Sequence, residues 1–232
     1  LFSGMYAVTG ILAALRHAER TGEGQQVDIA LLDCQVAMLA NQAMNFFASG
    51  TSPARLGNAH PNITPYQVFA TRDGHIVLAV GNDAQFRSFC ATAGASQIPD
   101  DPRFTDNPSR VAHREELAAV LRPLLLGRTS ADWIAALDDA GVPCGPINTI
   151  EEVFADPQVQ ARGMAQRMQR TDGGDVTLLA SPLRLNRTPP RADFAPPLLG
   201  ADTFAVLGDL AGLGPDELRD LADAGIVAGG AA

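Results

Sequence analysis

The sequence predicts an α/β protein in which a middle α+β unit is held between two proline-rich connections. Three observations predict it. The first fifty residues read as helix, strand, helix, an order that suits the edge of a doubly wound sheet. Two apolar-rich runs flank Arg72-Asp73-Gly74, and Arg167 to Arg170 and Val176 to Leu179 lie around Asp172-Gly173-Gly174, the pattern of short antiparallel hairpins. Irregular segments at 51–65 and 181–199 bracket the residues that carry those hairpins. The expected layout places 1–50 in one body, a linker over 51–65, a small α+β domain over 66–180, a second linker over 181–199, and C-terminal helices over 200–232 that return to the first body.

The elements follow in order. Met5, Val8, Ile11, Leu12 and Leu15 recur at helical spacing, and the basic last turn around Arg16 and Arg20 complements the helix dipole, so a helix ends near Thr21. Gly22-Glu23-Gly24 is a turn, Gln26 to Ala30 alternates as a short strand, and a second helix runs from about Leu31 to Ala48. Tyr66 to Thr71 and His75 to Val80 are expected to pair as antiparallel strands. Asp83 is placed to cap a helix that reaches about Ala93. A helix from about Ser109 to Leu126 carries Val111, Leu117, Val120, Leu121 and Leu124 on one face, with Pro123 set to kink or shorten it. Thr129 or Ser130 caps the next helix, which carries Trp133, Ile134 and Leu137 and stops at Gly141. The prolines of 141–148 make that segment extended. Two short helices over 151–155 and 157–162 precede the second hairpin. Two more, at about 201–210 and 215–224, lead into a small-residue tail expected to lack order.

Composition bounds the function. A chain of 232 residues with 46% hydrophobic content is enough to bury a core, and a net charge of −9 argues against nucleic acid or an anionic membrane as a partner, since either would need a basic face. Every basic side chain is arginine, so a lysine Schiff base is excluded and any anion site must use arginine or backbone N–H groups. Cys34, Cys90 and Cys144 are too few and too widely spaced for a disulfide framework or a metal site, which points to a reducing compartment. No apolar run reaches membrane-span length and no signal peptide opens the chain, so the expected location is cytoplasmic, with no metal and no permanently bound cofactor. The chain opens on Leu1, inside a helical pattern, and reads as a piece of a longer polypeptide.

The stretch from Arg55 to Phe69 holds the candidate site. Pro61 and Pro65 stiffen it and push their predecessors toward extended geometry, and the segment carries Asn58, His60 and Asn62 as polar groups. Composition fits two readings, a linker whose polar residues are simply solvated and a loop built to present side chains. Arg55-Leu56-Gly57-Asn58, His60-Pro61, Pro65-Tyr66 and Phe69, followed by Asp73-Gly74 and by Leu78-Ala79-Val80-Gly81-Asn82-Asp83 with Gln85-Phe86, resemble the family III CoA-transferases, the CaiB/BaiF family, of formyl-CoA transferase type. The resemblance extends over nearly the whole chain. It includes Gly22, Gly24, Gln25, Val27 and Asp28, then Gly141 to Asn148, Asp156 to Met164, Ser181 to Leu185, and Pro197 to Gly200.

That resemblance implies a Rossmann-like large domain, of which this chain holds the C-terminal part, an inserted small domain, and an interlocked homodimer. It implies an acyl-CoA:carboxylate CoA-transferase whose substrates are coenzyme A thioesters and a carboxylic acid acceptor, and whose nucleophilic aspartate precedes Leu1. In the family that aspartate opens a pattern that continues as Leu1 to Met5 does here. No catalytic residue is therefore expected within the chain. Asp28, Asp33 and Asp83 are explained by structural positions. Asn58, His60, Asn62 and Asn82 are the expected substrate-binding residues. His17, His75 and His113 fall in helices or a strand, where structural roles are expected. Two other readings stay open: a 2-methylacyl-CoA racemase, whose family members commonly carry a glutamate where this chain has Asn82-Asp83, and an inactive dimerisation or lid fragment.

Overall fold

The computed structural model describes residues 1–170 and 173–228. The predicted turn residue Asp172 and residues 229–232 of the tail lie outside that range. The chain divides into two compact units, 1–147 and 148–232.

The first unit begins with α1 (Phe2–Thr21), which ends where Gly22 takes the left-handed conformation (φ 79°) and returns its N–H to Ala18 O. The strand expected at 26–30 does not form. A strand needs a neighbour for its ladder bonds, and the described residues supply none here. The helix expected over 31–48 is two helices, α2 (Leu31–Ala37) and α3 (Asn41–Ser49), divided at Ala40, whose φ is 44°. Met38, Leu39 and Ala40 are good helix formers, so no local propensity marks the break. Cys34 is the one buried hydrophobic residue among 1–50, while Phe2, Met5, Val8, Leu12, Leu15, Leu31, Leu32 and Phe47 are exposed.

The hairpin forms as expected. Strands β1 (Tyr66–Ala70) and β2 (His75–Ala79) pair antiparallel with Val68 opposite Val77, and β3 (Cys144–Pro146) adds antiparallel to β2. Four helices accompany the sheet: α4 (Asp83–Thr92), α5 (Asn107–Ala112), α6 (Arg114–Leu125) and α7 (Ser130–Asp139). The single helix expected over 109–126 is broken at His113, whose ring Nδ1 lies 2.9 Å from Ser109 O at the junction. Phe69, Ile76 and Leu78 of the strands, Phe86 and Phe89 of α4, Leu117, Leu121 and Leu125 of α6, and Trp133 and Leu137 of α7 form one core. The i, i+4, i+8 spacing of the three leucines is what turns α6 inward. Asp73 fastens the hairpin tip to α7: its carboxylate accepts from Ser130 N at 2.8 Å, and that bond holds its pKa below the usual carboxylate range.

The second unit holds α8 (Ile150–Ala155) with a Thr149–Glu152 capping box, α9 (Pro157–Ala161), the hairpin β4 (Ala165–Gln169) with β5 (Asp175–Leu179), α10 (Thr203–Ala211) and α11 (Pro215–Asp223).

All three cysteines are free thiols, and burial pushes the Cys90 thiol up to about 12 and raises Cys144 as well. Thiolate is the reacting form, so Cys90 in the folded chain should label at pH 8 on the order of a thousandfold more slowly than an ordinary thiol. Mass-mapped labelling with and without denaturant checks this, and rapid labelling of the folded chain would contradict the burial of Cys90.

Candidate functional site

The Arg55–Phe69 segment is a shaped loop whose amides are spent on its own architecture. Asn58 Oδ1 accepts from Val68 N at 3.0 Å, which anchors the front of the loop to β1. The Asn62 and Asn45 side-chain amides exchange two hydrogen bonds, each 3.1 Å, which ties the loop to α3. The fourth predicted residue stands apart from this set. Asn82 Oδ1 accepts from Gln85 N at 2.9 Å and is the N-cap of α4, the position expected for Asp83. Asp83 lies inside the first turn and pairs with Arg110 instead.

His60 is arranged differently. Its backbone N–H donates to Tyr66 O at 2.9 Å, and its ring stacks on Tyr66 with centroids 5.3 Å apart and planes 18° apart. Its Nδ1 accepts from Asn62 N at 3.1 Å. Among the described residues, Nε2 has no hydrogen-bond partner, and it is not sealed from solvent.

Three residues that the sequence reading did not single out hold this loop. Arg110 is wholly buried. Its guanidinium donates to Thr64 O (2.7 Å), Phe104 O (3.3 Å) and Asp83 Oδ1 (2.7 Å) and lies 4.4 Å from the centroid of the Phe86 ring. Arg114 donates to His60 O and Pro61 O. Asn107 donates to Asn62 O and accepts from Thr64 N. An asparagine and two arginines spaced three and then four residues apart, on a segment otherwise read by its apolar face, were the available signal. Among the described residues no cluster of His, Cys, Asp or Glu comes together as a metal site, and no helix is long and apolar enough to cross a membrane.

This chain is similar in sequence and fold to known proteins. The sequence profile of CoA-transferase family III matches residues 1–203, and the chain belongs to that family. The particular relatives are consistent in kind. A succinate–glutarate CoA-transferase of Agrobacterium fabrum is 48% identical over 210 residues, which are 90% of this chain and 52% of that protein. The human succinyl-CoA:glutarate CoA-transferase is 33% identical over 98% of this chain and 52% of its own length. The crystal structure of a CaiB/BaiF family protein from Brucella suis superposes with a TM-score of 0.74 at 43% identity, covering 90% of this chain and 54% of that one. The chain thus spans about half the length of the relatives it matches. The expected α/β class of the family III fold holds, with the unpaired 26–30 segment as its local exception.

Proposed function

We propose that the full-length protein containing this chain is an acyl-CoA:carboxylate CoA-transferase that moves coenzyme A between small dicarboxylic acids. The observation that carries the reading is the family match over residues 1–203, joined to relatives named for succinate, glutarate, oxalate and mesaconate. In this reading the nucleophile is an aspartate upstream of Leu1. Its carboxylate attacks the thioester carbonyl and expels CoA thiolate, leaving a mixed anhydride. The thiolate then attacks the aspartyl carbonyl, releasing the first acid as its carboxylate and leaving an aspartyl-CoA thioester. The acceptor carboxylate repeats the two steps in reverse and leaves as the new thioester. In this reading Asn58, His60, Asn62 and Asn82 lie on the substrate-facing side of the site; Asn62 has both amide atoms paired with Asn45, whereas among the described residues Asn58 and Asn82 keep Nδ2, and His60 keeps Nε2, without a protein partner. In the same reading the protein is a cytoplasmic homodimer with no permanent cofactor; the exposed apolar side chains of 1–50 support a partner surface, and the free thiols a reducing compartment.

The test uses the full-length protein with succinyl-CoA and glutarate, quenched with hydroxylamine. The expected results are glutaryl-CoA formation and an aspartyl hydroxamate at the residue preceding Leu1. Absence of CoA transfer to every dicarboxylate tried, together with deuterium uptake at C2 of a 2-methylacyl-CoA, would overturn the reading in favour of racemisation.

A further inference from the structure

The α5–α6 segment grips the candidate loop by its backbone. Asn107 Nδ2 donates to Asn62 O at 2.9 Å and Asn107 Oδ1 accepts from Thr64 N at 3.2 Å. Arg110 Nε donates to Thr64 O at 2.7 Å. Arg114 donates to the two consecutive carbonyls of His60 (3.1 Å) and Pro61 (2.7 Å), a forked contact that suits a planar guanidinium and that an ammonium point charge cannot reproduce. Side chains from this one segment therefore meet residues 60, 61, 62 and 64. Three side chains of one segment thus converge on the backbone of one stretch of five residues.

What the grip fixes is the state of one ring. The Asn62 N–H arrives at His60 Nδ1, and a ring nitrogen that accepts from an amide carries no proton of its own. A neutral imidazole then bears its hydrogen on Nε2, a tautomer assigned from the hydrogen bond. Tyr66 stacks on the ring face and sets its plane. Nε2–H is left as a donor without a protein partner among the described residues.

We propose that Arg114 and Asn107 are positioning residues that hold His60 as a neutral Nε2–H donor, and that this donor binds an oxygen of the acid substrate, carboxylate or thioester carbonyl. The inference rests on the CoA-transferase reading for the identity of the acid. It excludes a role for His60 as a general base in this arrangement, because Nδ1 is filled by an amide and Nε2 already carries a proton. It also explains the stiff loop: a donor fixed before binding loses little further freedom when substrate arrives.

The experiment has two arms. In the full-length enzyme, His60→Ala should lower kcat/KM for the acceptor acid by on the order of ten- to a hundredfold, equivalent to roughly 1.4–2.7 kcal/mol. His60→Gln, which keeps a neutral N–H donor, should recover most of that loss. Arg114→Ala and Asn107→Ala should each lower kcat/KM about tenfold, Arg114→Lys should not restore it, and the double variant His60→Ala/Arg114→Ala should be no worse than His60→Ala alone, the non-additivity of groups that act through one another. Fully additive losses, or wild-type kinetics with a lowered Tm in Arg114→Ala, would overturn the proposal. In the second arm, the ring-nitrogen chemical shifts of 15N-histidine-labelled protein should report an Nε2–H ring for His60 in the wild type and a mixture of tautomers in Arg114→Ala. An Nδ1–H ring in the wild type overturns the proposal whatever the kinetics. A wild-type protein without transferase activity would sink the functional reading alone, and the ring shifts would still decide the positioning.

Discussion

Arg110→Ala is expected to lower the stability of the 1–147 unit by about 3 kcal/mol. The guanidinium is fully buried and serves two backbone carbonyls, one carboxylate and one aromatic face at once. Truncation leaves Thr64 O and Phe104 O without their donor, at about 1–3 kcal/mol for each acceptor that water cannot reach. The Asp83 ion pair contributes the smaller part, because that side chain is 43% exposed and solvent screens it. A loss of 3 kcal/mol in a unit of this size corresponds to a fall in Tm of roughly 6–12 °C. Arg110→Lys should recover less than half, since one ammonium cannot reach acceptors spread around a planar fork. Thermal unfolding of the three proteins checks this, and a Tm within about 2 °C of wild type for Arg110→Ala would show that water replaces the guanidinium without penalty.

The second large effect is expected at Trp133, which should cost about 3–5 kcal/mol on replacement by alanine. The indole projects from α7 and is buried, with Phe89 of α4 at a centroid distance of 6.4 Å and the Arg128 guanidinium 4.6 Å from its ring centroid. Its Nε1–H donates at 2.7 Å to Leu125 O, one of the carbonyls that the end of α6 leaves without an intrahelical partner. Trp133→Phe separates the two contributions. It keeps most of the packing and removes the donor, so it should cost about 1–2 kcal/mol. Urea unfolding of both variants measures the difference, and equal losses would mean that the hydrogen bond, not the volume, dominates.

Much of the local structure was legible in the sequence because it is written in short-range chemistry. Gly74 marks the first hairpin, Thr129 caps α7, and Gly141 ends the turn beyond it, each at the expected place. What failed needed information from elsewhere in the chain. The 26–30 alternation is a strand pattern only if another strand lies beside it. The choice between Asn82 and Asp83 as the cap is made by Arg110, twenty-seven residues away, which draws Asp83 into an ion pair. In the candidate site, His60 stood out because prolines and amides surround it, whereas Arg110 and Arg114 lie in a helical pattern where arginine ordinarily faces solvent. Their contacts to the loop are made to backbone carbonyl groups, which no side-chain motif encodes.

The first fifty residues carry a further consequence. No residue of α1 is buried, and Phe2, Met5, Val8, Leu12 and Leu15 are each about half exposed or more. A helix of twenty residues held chiefly by its own ladder opens at a small fraction of the free energy that frees β2, whose Ile76 and Leu78 are fully enclosed. In heavy water the amides of α1, in this 232-residue chain taken by itself, should therefore exchange their protons long before those of Ile76 and Leu78.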